Sequence, residues 1–377
     1  MTVFGTRPDT IKMAPVVHAL RAHRDIDDIV CVTAQHRQML DDLLQLFAIE
    51  PHYDLDVMAA DQSLTHITTR VLERMEPVLQ DAKPDVVLVH GDTTTSSAAA
   101  LAAFYQQIPT GHVEAGLRTS DRWLPFPEEM TRRITGTIAS YHFAPTRLAR
   151  EHLLAENVAA DDIVVTGNTV IDAFLATAGR SDLPKPPRFD ELDATRPIVL
   201  VTAHRRENHA HMPEIAEAMR QISELPGRPQ VYWPVHPSPR VAPVAHDLLD
   251  GIPGIVLVDP IDYAQMVSAV KACTFVLTDS GGIQEEAPCL GKPVLVMREE
   301  TERPEGLEAG TLALVGHGRH AIVAAAALLM ESEAEFARMA RATNPYGDGH
   351  ASERIVDWLL ARLRGGPYPQ PFGAGGS

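Results

Sequence analysis

With 377 residues, 45% of them hydrophobic and 22% charged, the chain is too long for one ordinary core and fits two domains of roughly 150 to 190 residues each. Its 33 basic against 50 acidic side chains give a net charge of −17, which repels nucleic acid and anionic membranes on average but leaves room for a local basic pocket holding a small anion. Cys31, Cys273 and Cys289 lack CxxC spacing and lie in or beside apolar segments, no basic leader opens the chain, and no window reaches the ~18 apolar residues of a spanning helix; the expectation is a cytoplasmic protein with reduced thiols and no membrane partner.

Residues 1–5 read as a strand, followed by the turn Gly5-Thr6-Arg7-Pro8 and a helical run from Met13 to His23. Arg7 and Lys12 put two cations where a strand's carboxyl end meets a helix, a common ligand position in open α/β sheets. The other reading is two solvated surface charges. A second strand spans Ile29 to Thr33, helices cover Arg37 to Phe47 and Ser63 to Gln80, and Val86 to Val89 is a short β-branched run that suits a parallel strand buried on both faces.

That strand ends in His90-Gly91-Asp92, where Asp92 reads either as the N-cap of the small-residue helix through Tyr105 or as a functional acid. The next strand ends at His112-Val113-Glu114, and Pro127-Glu128-Glu129 starts another helix, so Glu128 is either a helix-dipole partner or a third acid. In a parallel sheet all strand ends point one way, so Asp92 and Glu114 converge on one edge. Tyr141 to Ala144, a helix through Glu156, and the strand Ile163 to Val165 before Thr166-Gly167-Asn168-Thr169 complete a first domain over residues 1–170.

The proline-rich stretch Leu183 to Arg188 suits a linker, and a second domain over residues 171–364 repeats the alternation. Its strands read as Ile198 to Thr202, Gln230 to Val235, Ile255 to Val258, Phe275 to Thr278 and Pro293 to Met297. His204, at a strand end beside Arg205 and Arg206, is either a structural histidine or a ligand-handling one facing a central cleft. In Thr278-Asp279-Ser280-Gly281-Gly282 a strand turns into a helix: Ser280 can cap it, while Gly281 and Gly282 let a phosphate approach free N–H groups. Glu286, further along that helix, can accept from ribose hydroxyls; a glycine turn serving packing alone is the alternative. The last helix, Ala351 to Arg364, is expected to pack back on the first domain, and residues 365–377, rich in glycine and proline, to be disordered.

Nine segments in register carry a resemblance across residues 1–360: Phe4 to Pro8, Thr33 to Arg37, His90 to Thr94, Gly111 to Arg118, Pro127 to Glu129, Thr166 to Thr169, His204 to Glu207, Thr278 to Glu286 and Asn344 to Gly349. Together they resemble the non-hydrolysing bacterial UDP-N-acetylglucosamine 2-epimerases, which implies the GT-B architecture: two doubly wound Rossmann-like domains with a central cleft. The resemblance implies reversible interconversion of UDP-N-acetylglucosamine and UDP-N-acetylmannosamine, by elimination of UDP and re-addition through 2-acetamidoglucal, with no cofactor or catalytic metal. It implies Asp92, Glu114, Glu128 and His204 as catalytic groups. Substrate would be bound by Arg7, Lys12, Ser280, Gly281, Gly282, Glu286 and Arg303.

A second, regulatory substrate site of some members is matched by Gln35, Gln38, Glu128, Arg205 and His236, although Asp61 stands where some of those members have an arginine. The family also implies a homodimer. Three rival readings are a GT-B glycosyltransferase using a UDP-sugar donor, a catalytically silent sugar-nucleotide sensor, and a hydrolysing relative that releases free N-acetylmannosamine. The first needs an acceptor-reaching patch that is not visible in the sequence, and the second needs the loss of a cleft acid.

Overall fold

The computed structural model describes residues 1–33, 37–57, 62–119 and 121–373, with residues 37–39 described by their backbone alone. Among these residues the chain divides into two units, one formed by Met1–Ala173 together with the chain from Gly347 onward, the other by Phe174–Tyr346. The first holds β1 (Thr2–Phe4), β2 (Val30–Val32), β3 (Tyr53–Asp54), β4 (Val87–His90), β5 (Thr110–Val113), β6 (Tyr141–Ala144) and β7 (Ile163–Val165) in the order β3-β2-β1-β4-β5-β6-β7. The second holds β8 (Ile198–Thr202), β9 (Gln230–Pro234), β10 (Ile255–Val258), β11 (Phe275–Thr278), β12 (Val294–Val296) and β13 (Leu312–Leu314) in the order β10-β9-β8-β11-β12-β13. Every pairing in both sheets is parallel.

Both sheets reverse direction of build-up once, at β1/β4 and at β8/β11, so each is a doubly wound sheet and the expected α/β class of the GT-B kind is observed. In such sheets the crevice outside the strands' carboxyl ends at the reversal is where ligands bind. Strands β4 and β11 are buried along their whole length, as their unalternating apolar sequences require.

The cores are built by helices laid on both sheet faces. On one face of the first sheet Phe4, Leu88 and Phe143 pack with Met13, Val16 and Val17 of the helix Arg7–Ala22. The same cluster takes Ile355, Val356, Trp358 and Leu359 of the helix Ala351–Arg364, so the last helix closes the first unit. The Trp358 ring stands edge-on to Tyr141 and Phe143, with centroids 5.3 and 5.6 Å away. Asp172 caps this helix from outside: Oδ1 accepts from Ser352 N–H at 2.7 Å and Oδ2 from Ala351 N–H at 3.2 Å. A carboxylate on the first N–H groups satisfies orphan donors and complements the helix dipole.

Sequence and structure differ at the tail, at two proline-led helices and at the boundary between the units. Residues 365–373 do pack: Phe372 N–H donates to Val165 O at 2.8 Å, its ring lies under Arg354, and Tyr368 meets Trp358 at 5.9 Å. Glycine and proline content hides these two rings. The helices Ala242–Leu249 and Pro304–Ala309 are absent from the sequence reading because Pro243 and Pro304 look like breakers, yet each sits in a first turn, where proline costs no hydrogen bond. The boundary falls after Ala173, inside the helix Thr169–Ala178, rather than after residue 170. Cys31 and Cys273 are buried, Cys289 is half-buried, and burial pushes all three thiols up to about 12. Among the described residues no helix is long and apolar enough to cross a membrane.

Candidate active site

At the reversal of the first sheet, β1 runs into the helix Arg7–Ala22, whose inward face carries Asp9 and Lys12. The turn between them has Gly5, where any Cβ would fall 1.7 Å from Thr33 Oγ1, so only glycine fits. Next to it β4 ends in His90, Gly91 and Asp92, and β5 ends at Glu114. Gly91 and Glu114 both have left-handed backbone, with φ of 59° and 62°, and the Gly91 site faces Glu114 Oε1. A non-glycine residue held in that region at a strand end carries strain that accompanies functional placement.

Glu114 is the centre of a buried charge cluster. Lys12 Nζ pairs with its Oε2, Asn168 Nδ2 donates to the same oxygen at 2.8 Å, and His90 Nε2 lies 3.7 Å away. His90 Nδ1 is 3.1 Å from Asp9 Oδ1, and Thr93 Oγ1 donates to Asp9 Oδ2 at 3.3 Å. Burial alone would raise the Glu114 carboxyl, but Lys12 and His90 hold it well below the usual carboxylate range. Asp92 moves the other way: burial raises it, Arg132 works against this, and the Glu114 charge adds to the rise. Arg132 Nη2 donates to Asp92 Oδ2 at 2.5 Å. Thr131 Oγ1 donates to Asp92 O at 2.6 Å and to Glu128 O at 3.1 Å, tying the start of the helix Glu128–Ile138 to the end of β4. Glu128 is half-buried, and its Oε2 is buried without a hydrogen-bond partner among the described residues.

At the reversal of the second sheet, β8 and β11 end side by side, with Thr202 Oγ1 and Thr278 Oγ1 2.6 Å apart. Asp279, fully buried, organises both exits. Its Oδ2 accepts from the backbone N–H groups of His204 and Arg205, each at 2.8 Å, and from Asn208 Nδ2 at 3.0 Å, while Oδ1 lies 3.2 Å from His204 Nδ1. Burial pushes its carboxyl up, but these donors outweigh it and the net direction is down. Ser280 occupies the N-cap position of the helix Gly281–Glu286 but makes no side-chain cap bond, contrary to expectation; its N–H is turned onto Thr278 Oγ1 at 2.9 Å. The first N–H groups of the helix therefore stay open to a ligand. A Cβ on Gly281 would meet Arg205 Nη2 at 3.6 Å and Arg303 Nη2 at 3.8 Å, and one on Gly282 would meet nothing. Two guanidinium groups thus stand over the glycine turn, an arrangement suited to a phosphate.

The structure gathers Lys12, Asp92 and Glu114 at one sheet edge in the first unit, with Glu128 joined to Asp92 through Thr131. In the second unit it gathers His204, Arg205, Ser280, Gly281, Gly282 and Arg303, with Glu286 buried at the end of the short helix. Arg7 is exposed at that first helix's start. His236 stacks on His204, with centroids 5.7 Å apart; Gln35 and Asp61, and the side chain of Gln38, lie outside the described residues.

Sequence reasoning missed Asp9, His90, Asn168, Asp279 and the pair Glu129 and Arg132. Glu129 is fully buried, accepts from Thr119 N–H at 3.0 Å and from Arg133 Nε at 2.7 Å, and lies 3.4 Å from Arg132 Nη1. His90, Asn168 and Asp279 all lie within quoted motifs, so motif membership was the available signal.

Comparison with known proteins agrees with this geometry. A family model for UDP-N-acetylglucosamine 2-epimerase matches residues 18–360. The chain is 52% identical over 366 residues to a UDP-N-acetylglucosamine 2-epimerase of Yersinia pestis, covering 95% of this chain and 97% of that one. It is similar to the crystal structure of a putative UDP-N-acetylglucosamine 2-epimerase from Listeria monocytogenes, with a TM-score of 0.94, 45% identity, and coverage of 99% of this chain and 98% of that one. A UDP-GlcNAc 2-epimerase from Neisseria meningitidis, bound to UDP-GlcNAc, gives a TM-score of 0.86 and 45% identity, with 95% and 98% covered. Likeness of this extent, over two doubly wound sheets whose reversals hold the residues the motifs single out, shows that the chain belongs to the UDP-N-acetylglucosamine 2-epimerase family.

Proposed function

We propose that the protein interconverts UDP-N-acetylglucosamine and UDP-N-acetylmannosamine by eliminating and re-adding UDP. The observation that carries this reading is the gathering of Asp92 and Glu114, each beside its own cation, at one sheet edge of a chain that matches the family along its length; burial raises the Asp92 carboxyl while Lys12 and His90 lower that of Glu114. Environments that push two acids apart separate an acid role from a base role.

The proton on sugar C2 is not adjacent to a carbonyl, so removing it alone leaves an unstabilised carbanion. Coupling its removal to loss of the anomeric oxygen avoids this: a carboxylate takes the proton, the C2–H electron pair becomes the C1–C2 double bond, and the C1–O pair leaves with UDP. The reverse steps, with a proton delivered to the opposite face of C2, give the epimer. No net oxidation occurs, so the route calls for no hydride carrier. Glu114, held ionised, is suited to receive the proton, and Asp92, with its raised carboxyl, to deliver one; Glu128 completes the set. Arg205, Arg303 and the open N–H groups of Gly281 and Gly282 hold the diphosphate, and His204, its Nδ1 engaged by Asp279, offers Nε2 to the departing oxygen. Glu286 serves the ribose, while Arg7 and Lys12 line the sugar side.

Turnover of UDP-N-acetylglucosamine in D₂O, followed by NMR, tests the reading. Deuterium at C2 in both UDP-sugars is expected; release of free sugar alone, or no turnover without an added acceptor, refutes it. The reading includes a cytoplasmic homodimer. Exposed Phe104, Tyr105 and Ile134 on the packed helices Thr94–Tyr105 and Glu128–Ile138 supply an apolar face for a second copy, and light scattering that finds a monomer removes this part.

A further inference from the structure

Asp9 and His90 form with Glu114 a line of which the proposed chemistry uses only Glu114. Asp9 and His90 are 2% and 3% exposed, and the Glu114 side chain is 8% exposed, so none of their charges is dispersed by water. The ring is held at one end, with Nδ1 3.1 Å from Asp9 Oδ1, and its other nitrogen, Nε2, buried without a hydrogen-bond partner among the described residues, faces Glu114 Oε2 at 3.7 Å, a charge contact rather than a hydrogen bond.

Counting charges decides its state. Asp9 and Glu114 bring two negative charges and Lys12 one positive; a neutral ring would leave the pocket with an uncompensated charge and set the Nε2 lone pair against a carboxylate. A doubly protonated ring balances the set and turns that contact into an attraction. The other groups facing the line do not change the count. His112, in the neighbouring strand, donates from Nε2 to Gly91 O at 2.7 Å, and burial lowers it to about 3, so it stays neutral. Asp92 has its own partner in Arg132, and Thr93 and Asn168 are uncharged.

We infer that His90 is a positioning residue for Glu114: as an imidazolium clamped by Asp9, it holds the Glu114 carboxylate ionised, so that Glu114 enters the reaction as a proton acceptor. Burial works against the charged ring, but the nearby Glu114 charge and the hydrogen bond to Asp9 outweigh it, and His90 is raised to about 9. Asp9 acts at one remove, by keeping Nδ1 protonated. The part played by Glu114 rests on the proposed function, whereas the protonation of His90 does not.

The test has two readouts on the full chain. Histidine-labelled protein, with His90 assigned by His90→Gln, is titrated by NMR without substrate. His90 is expected to be doubly protonated at pH 7, and its midpoint to fall by about 1–3 units in Glu114→Gln. A neutral His90 at pH 7 overturns the inference whether or not the protein epimerises. In the second readout, the acid limb of kcat moves to higher pH by about 1–3 units in His90→Gln and by less in Asp9→Asn, because a carboxyl without its cation protonates more readily. Variants that lower kcat equally at every pH reduce His90 to a packing role and also overturn the inference. If His90→Gln does not fold, Asp9→Asn and the wild-type titration decide.

Discussion

Asp279 is the residue on which the second unit's site depends most, and its removal has a calculable cost. In Asp279→Ala three donors lose their acceptor: the backbone N–H groups of His204 and Arg205 at 2.8 Å and Asn208 Nδ2 at 3.0 Å. A buried donor left unsatisfied costs about 1–3 kcal/mol. His204 and Arg205 are half-buried and regain some water, whereas Asn208 is fully buried and its Nδ2 keeps Met297 O as its other acceptor, so the sum comes to about 3–5 kcal/mol. Asp279→Asn keeps one acceptor oxygen but loses the charge, which costs about 2 kcal/mol when two charge-assisted bonds become neutral ones. Urea denaturation at pH 7 measures both. The pH dependence has a definite sign: the folded carboxyl is depressed, so its contribution is present above the unfolded value of ~3.9 and is lost as pH falls through the folded value. The gap between wild type and Asp279→Asn should therefore narrow below about pH 4. Because Asp279 also sets the backbone that presents His204 and Arg205, UDP binding by calorimetry should weaken about tenfold or more in Asp279→Asn, equivalent to about 1.4 kcal/mol. An Asn variant with the wild-type urea midpoint and the wild-type Kd for UDP would refute the reasoning.

Asp92→Asn should lower turnover by about 10²–10⁴-fold while the fold persists. Its folded carboxyl is raised, so ionised Asp92 costs stability at neutral pH, and the amide variant should have an equal or higher urea midpoint at pH 7; near-normal rates or a clear loss of stability would contradict this. Gly116→Ala places a Cβ 2.2 Å from Ala149 O at a φ of 91°, and circular dichroism should show loss of more than about 3 kcal/mol or failure to fold. Trp358→Ala empties the contact of the last helix with Tyr141 and Phe143 and should cost about 3–5 kcal/mol in urea; a change below about 1 kcal/mol would mean that the helix is held elsewhere.

Strands were legible wherever their sequence is apolar and β-branched without alternation. Ile198–Thr202, Ile255–Val258 and Phe275–Thr278 match the sequence reading residue for residue, because such short runs have one stable use, the inside of a parallel sheet. Tyr53–Asp54, a two-residue edge strand, has no such pattern and was not found. In the site, parallel strand ends alone brought Asp92 and Glu114 together. The partners of these acids were not legible, because they are set by which helix face looks inward. Asp9 and Lys12 differ from Arg7 only in rotation about one helix axis, and it is Arg7 that faces water. Glu128 and Glu129 are adjacent letters of one motif, yet one has a buried oxygen without a partner and the other is sealed in ion pairs.

The net charge of −17 is no obstacle to an anionic substrate where the acids nearest the site are matched to cations. Glu114 has Lys12, Asp92 has Arg132, Glu129 has Arg132 and Arg133, Glu285 has Arg303, and Glu207 has Arg298. Surface charges farther off than the Debye length, ~10 Å at 0.1 M salt, contribute little to what a bound phosphate feels. Arg205 differs from Arg132, Arg298 and Arg303: it forms no ion pair among the described residues, its Nε is buried without an acceptor there, and Nη2 reaches the Gly281 turn. A guanidinium with donors unmet inside the protein and no carboxylate beside it retains its full attraction for an incoming anion. The resemblance implies a regulatory site for Arg205; on the proposed function it is also a cation open to a diphosphate at the glycine turn, with the paired Arg303 beside it fixing the shape of that turn.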